Sequence, residues 1–181
     1  MSSEELHELQ EHAEHAKHDP TLAPVSLTMA ILAVLVAIVS LLGHRAATEA
    51  VLNQAKASDQ WAYYQAKNIR GHEDKLFANL TAITPASNSE ALAKIREDYL
   101  QEADRYKEEQ KEIEAEARKL EQEVALEQKR ADRFDLGEVF LEIALVITSI
   151  TLLSGRRVFW HLGLVMGAIG VVLAVTGFLV H

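Results

Sequence analysis

Apolar residues in this chain collect into three long runs, and the stretch between the first and second runs is densely charged. The runs are roughly Leu22–Gly43, Leu136–Leu153 and Val158–Val180. A bilayer core about 30 Å thick is crossed by about 20 helical residues rising 1.5 Å each, so every run predicts a transmembrane helix. Val25–Leu42 and Val158–Val180 contain no Asp, Glu, Lys or Arg, whereas the middle run carries Glu138 and Glu142 near its start. The fold class that follows is all-α: three transmembrane helices with a long antiparallel coiled-coil hairpin inserted between helices 1 and 2.

The insert, residues 44–135, supplies the hairpin. From Leu92 to Phe134 it is rich in Glu, Lys, Ala, Gln and Leu and lacks Gly and Pro, a composition of strong helix formers. Ala103, Tyr106, Ile113, Ala117, Leu120, Val124, Ala131 and Phe134, with Gln110 and Glu127 in the gaps, make an unbroken seam at alternating three- and four-residue spacing. Leu92, Ile95 and Tyr99 continue the stripe after a four-residue stutter. The first half of the insert, Ala46–Ala82, is Ala-rich and holds the aromatic cluster Trp61, Tyr63 and Tyr64. Between the halves, near residues 83–89, Pro85 turns Thr84 away from helix, and Ser87 with Glu90 has capping-box spacing. Both ends of the insert run into membrane segments, so its helices are expected to lie antiparallel. Two helices alone bury little apolar surface, so the hairpin is expected to pair with further copies. The remaining divisions are an acidic tail at 1–21, a basic turn at 154–157, and the spans 22–43, 136–153 and 158–180.

Charge changes the picture only in its distribution. The net charge of −9 divides into −5 from Met1–Thr21, −4 from His44–Asp135 and zero elsewhere. With no long basic cluster, a nucleic-acid partner is not expected. The absence of cysteine removes disulfides and thiolate chemistry. The first run is preceded by acidic residues rather than the basic start of a cleaved leader, so it is expected to remain as an anchor.

Small residues recur along two of the spans. Gly163, Gly167, Gly170, Ala174 and Gly177 repeat at four and three residues in the third, and Ser26, Ala30, Ala33, Ala37 and Ser40 do so in the first. Such stripes let membrane helices approach closely, within one protomer or between protomers. Glu138 and Glu142 lie one turn apart in the second span. A carboxylate there is costly and faces protein or water. It reaches the interface near Lys129, Arg130 and Arg133, serves as a titrating group in an ion pathway, or has a purely packing role. Arg156 and Arg157 open the third span, followed by Phe159 and Trp160 as an interface belt. The two Arg favour a cytoplasmic turn, which puts the insert on the outer side. Arg45, Lys129, Arg130 and Arg133 argue the reverse, though a loop this long is a weak topology signal.

Candidate chemistry is sparse. His12, His15 and His18 in the tail are weak metal candidates at helical i, i+3 spacing and do not form the zinc-hydrolase pattern. No phosphate loop or nucleophile elbow occurs, so neither enzymatic activity nor a cofactor is expected. Trp61, Tyr63 and Tyr64 suit either a bundle core or a small-molecule groove.

The stretch LLGHRAATEAVLNQAKASDQWAYYQAK at Leu41–Lys67, FDLGEVFLEIA at Phe134–Ala144 and the Arg156–Arg157 turn resemble an uncharacterised bacterial family of three-pass membrane proteins known only as a domain of unknown function. The resemblance implies a bacterial membrane location and little about activity, with no established catalytic residues to carry over; the membrane is expected to be the inner one. In layout alone the chain is similar to proton-channel subunits of the ExbB/TolQ type, without their long helical extension after the third span, and layout does not establish function. The expectation is a self-associating, non-enzymatic scaffold or accessory subunit working with another membrane or envelope protein. The alternatives are an ion-conducting or energy-coupling subunit using Glu142, or a membrane sensor with a helical-bundle ligand domain.

Overall fold

The computed structural model describes residues 22–85 and 88–180. Those residues form three helices: α1 at Ala23–Ile83, α2 at Ser89–Ser154 and α3 at Arg157–Phe178. Each contains a stretch long and apolar enough to cross a membrane. The described residues are all-α, and α1 and α2 pack as a hairpin. Two compact units are present. One combines the described residues up to Glu49 with those from Leu126 onward, and holds the three spans. The other is the insert, Ala50–Ala125.

In the membrane unit, α1 turns Val25, Met29, Leu32, Val36 and Val39 inward. Leu32, Val36 and Val39 meet Ala131, Phe134, Leu141 and Ala144 of α2 and Ala174 of α3 in one core. The α2–α3 pair is closest. A methyl group on Gly170 would come within 2.9 Å of the Gly137 carbonyl oxygen, and one on Gly137 within 2.9 Å of the Gly170 carbonyl. Contacts of backbone on backbone are available only where side chains are missing, and they supply the van der Waals attraction that replaces a hydrophobic drive in lipid. Gly163 lies against Thr148 and Ala144, and Gly177 against the Phe134 ring, which meets Phe178 edge-on at 5.2 Å.

The α2–α3 connection is short because Gly155 takes a left-handed conformation, φ 65°. Its N–H donates to the Thr151 carbonyl at 2.9 Å, the usual way a helix is stopped by glycine. Beside that turn the Trp160 indole N–H donates to Thr28 Oγ1 at 3.1 Å, tying α3 to α1.

In the insert, the inward positions of α1 are Ala50, Asn53, Ala57, Gln60, Tyr64, Lys67, Gly71, Asp74, Ala78 and Thr81, all buried or half-buried. They keep the three-four spacing. Every seventh residue is polar (Asn53, Gln60, Lys67, Asp74, Thr81), and apart from Tyr64 the alternate positions are small. On α2 the facing positions include Ala103, Ile113, Ala117, Leu120 and Val124, all buried. The large residues of α2 thus fill the space the small residues of α1 leave. Ser87 lies outside the described residues. The residue that caps α2 is Asn88, whose Oδ1 accepts the Ala91 N–H at 3.1 Å.

Replacing Gly170 by Ala is expected to destabilise the membrane unit by about 1–3 kcal/mol, and by Leu considerably more. Ala30 is exposed, so Ala30→Leu is the matched control and is expected to leave thermal unfolding in detergent unchanged. A Gly170→Leu protein that melts with the parent would show that α2 and α3 are not in backbone contact.

Candidate functional site

The glycine stripe of α3 is buried within the protomer. Gly163, Gly167, Gly170, Ala174 and Gly177 are all inward, facing α2, with Gly167 also meeting Leu32 of α1. The small residues of α1 do not share that role. Ser26, Ala30, Ala33, Ala37 and Ser40 lie one residue round from the buried Val25–Val39 face. Ala30 and Ala37 are exposed and the other three half-buried.

The two membrane carboxylates differ in setting. Glu138 is half-buried and Glu142 exposed. Glu142 shares its face of α2 with Val139, Ile143 and Val146, themselves 49%, 40% and 61% exposed. That puts one carboxylate on an otherwise apolar outer surface of the membrane unit. Arg130, two turns before Glu138, is already engaged, pairing with Glu127 at 2.6 Å and donating to the Val180 carbonyl at 3.3 Å.

The aromatic cluster sits inside the insert. Trp61 and Tyr64 meet edge-on at 5.6 Å, and the Trp61 indole N–H donates to Glu121 Oε1 across the hairpin at 2.8 Å. The Arg118 guanidinium lies 6.0 Å from the Trp61 ring centroid. Tyr63 is half exposed. Trp61 therefore acts as a cross-helix contact with its indole N–H satisfied, and Tyr64 packs half-buried beside it. His12, His15 and His18 lie outside the described residues.

Two features of the insert escape sequence reading. The first is an ion pair, Lys67 with Glu109, in which the Lys67 side chain is only 13% exposed. The ammonium lies 4.8 Å from the Tyr106 ring centroid and 5.4 Å from that of Tyr63, a cation–π arrangement. Hydrogen bonding to Glu109 raises the Lys67 ammonium above its ordinary value, and the same bond holds the Glu109 carboxyl below the ordinary carboxylate range. No spacing rule would have paired residues on opposite arms.

The second is a stripe on α1 opposite its buried face. Val51, Ala55, Ser58, Ala62, Gln65, Ile69, His72 and Leu76 keep three-four spacing, Ile83 follows seven residues on with Leu80 alongside, and all are exposed. Val51, Ile69, Leu76 and Ile83 are 71%, 59%, 58% and 77% exposed. The signal was present as spacing, masked by the intervening Ala, Ser, Gln and His.

These elements define a class: an all-helical protein with three helices long and apolar enough to cross a membrane and a helical hairpin between the first two apolar stretches. The chain belongs to the family described as Domain of unknown function (DUF4337), whose model matches residues 21–180. No curated protein and no solved structure matches it.

A depressed carboxyl stabilises the fold above its unfolded titration range, and that contribution is lost as pH falls through the folded value. A raised ammonium contributes below its unfolded value and is lost as pH rises past the folded one. The Lys67–Glu109 pair is therefore expected to weaken on both flanks and to be intact at neutral pH. Glu109→Gln is expected to lower the melting temperature at pH 7 and to lose part of the acid-side decline seen in the parent. Parallel melting curves for the two proteins across pH would contradict this.

Proposed function

We propose that this protein is a non-enzymatic membrane scaffold or accessory subunit that self-associates through α1 of its insert. The observation that carries the reading is the exposed apolar stripe from Val51 to Ile83. Exposed large apolar residues aligned on one helix face mark an interaction surface. α2 offers a poor match, because its outer positions are dominated by Glu, Lys and Arg. The complement is a second stripe of the same kind. Two copies in one membrane share their direction, so a two-fold axis along the membrane normal would set α1 parallel to its counterpart. A helix-in-register pair of this type places Ile69 against Ile69 and Leu76 against Leu76 of the partner subunit. The polar gaps at Gln65 and His72 would fix register at a cost in affinity, which suits an assembly able to exchange partners. Placement in a bacterial inner membrane, with the insert on the outer side, belongs to the same proposal.

Substituting Ile69 and Leu76 by Lys leaves the inward face untouched. The double variant is expected to fold as the parent does and to shift the particle mass in mild detergent from oligomer to monomer. An unchanged oligomer mass would exclude this stripe as the interface.

One observation favours the energy-coupling alternative: Glu142 among exposed Val139, Ile143 and Val146. An ionised carboxylate on a lipid-facing surface is costly, so an assembly that turns this face toward protein or water would relieve it. In proteoliposomes that reading requires cation or proton flux abolished by Glu142→Gln. Flux absent from the parent, or surviving the substitution, eliminates it.

A further inference from the structure

The apolar parts of the three helices end together, at Leu42 in α1, Phe134 in α2 and Phe178 in α3, and there the membrane unit carries an open cavity of about 390 Å³. Leu42, Phe134 and Phe178 form its apolar floor. Arg45, Glu49, Glu127 and Arg130 form its polar rim. The size lies within the range of small-molecule sites. Two of the four charges are satisfied: Arg130 is held by Glu127 and by the Val180 carbonyl. Arg45 and Glu49 are exposed, stand one turn apart on α1, and form no ion pair with another described residue. The C-terminal end of α3, at Gly177 and Phe178, also borders the cavity and contributes the negative end of its dipole.

We propose that this cavity binds one zwitterionic amino-phospholipid, with Arg45 taking the phosphate and Glu49 the primary ammonium. The polar rim sits directly above the residues where the apolar spans begin, which is the depth of the headgroups. A phosphoethanolamine headgroup presents an anion and a cation two carbons apart, matching a guanidinium and a carboxylate separated by one helical turn. The first methylenes of the acyl chains then lie against Leu42 and the exposed ring of Phe178.

Charge selects this headgroup over its neighbours in a bilayer. The four rim side chains cancel, so the cavity has no excess positive charge for an anionic lipid, and a phosphoglycerol headgroup would leave Glu49 beside a phosphate without a cation. A phosphocholine headgroup carries its positive charge on a quaternary nitrogen that has no N–H to donate to Glu49 or to the α3 carbonyls. The primary ammonium supplies three donors, and hydrogen bonds to charged partners are the stronger kind.

The test is native mass spectrometry of the full-length protein in detergent, with phosphatidylethanolamine, phosphatidylglycerol and phosphatidylcholine of identical acyl chains supplied in equal amounts. The parent is expected to retain one phosphatidylethanolamine in about tenfold preference to phosphatidylcholine, the discrimination of one charge-assisted hydrogen bond. Arg45→Ala is expected to lose most retention of both phosphatidylethanolamine and phosphatidylglycerol. Glu49→Gln is expected to keep lipid bound but to abolish the preference for phosphatidylethanolamine over phosphatidylglycerol. Because Glu49 is exposed, that variant reports on the headgroup even if Arg45→Ala fails to fold. Equal retention of the three lipids by the parent, preference for phosphatidylglycerol, or a selectivity unmoved by Glu49→Gln overturns the proposal.

Discussion

The constraint on which the structure rests is that its helices must touch through side chains too small to hold them apart. Within the membrane unit, Gly137 of α2 faces Gly170 and Ala174 of α3 at distances that leave no room for one more methyl group. Lipid tails solvate Leu and Val as well as another helix does, so only contacts closer than lipid can make favour helix on helix. The same principle governs the insert in water for a different reason. There, Ala50, Ala57, Gly71 and Ala78 of α1 let it settle against α2, whose Ile113, Leu120 and Val124 bring the apolar volume. One arm gives space and the other fills it.

The polar residues repeating along the inward face of α1 add specificity to that fit. Lys67 reaches Glu109 between two tyrosine rings, and Trp61 reaches Glu121. Asp74 keeps one carboxylate oxygen buried without a partner, a group that costs stability wherever it occurs. Polar groups on a packed seam trade stability for register. The face of α1 opposite this seam is exposed.

The sequence discloses the helices, the three spans and the inward face of α2, because in each case bulky apolar residues fall at the required spacing. Half of the hairpin stayed hidden for the converse reason. The inward positions of α1 from Asn53 to Thr81 have the right spacing but the wrong residue types, and periodicity read from hydrophobicity passes over Asn, Gln, Lys and Asp. The stripe at Ser26–Ser40 is a related lesson. Small residues permit close packing on their own side, yet the face turned inward is the adjacent one carrying Met29, Leu32 and Val36, since three-body packing with α2 and α3 needs volume as well as clearance. The cavity at the ends of the spans draws its lining from three helices distant in sequence, so no local pattern marks it.

The hydrogen bond from Trp160 to Thr28 spans 132 residues of chain, and that separation imposes an order on biogenesis. At a synthesis rate of about 5–20 residues per second, roughly 7 to 26 seconds pass between the appearance of the two partners. The Thr28 hydroxyl donates to the Pro24 carbonyl of its own helix at 2.8 Å, so its hydrogen is already placed and it meets the indole N–H with a lone pair. A chain stopped anywhere in the insert has Thr28 but not Trp160, so this tie between α1 and α3 is available only once the third span has been made.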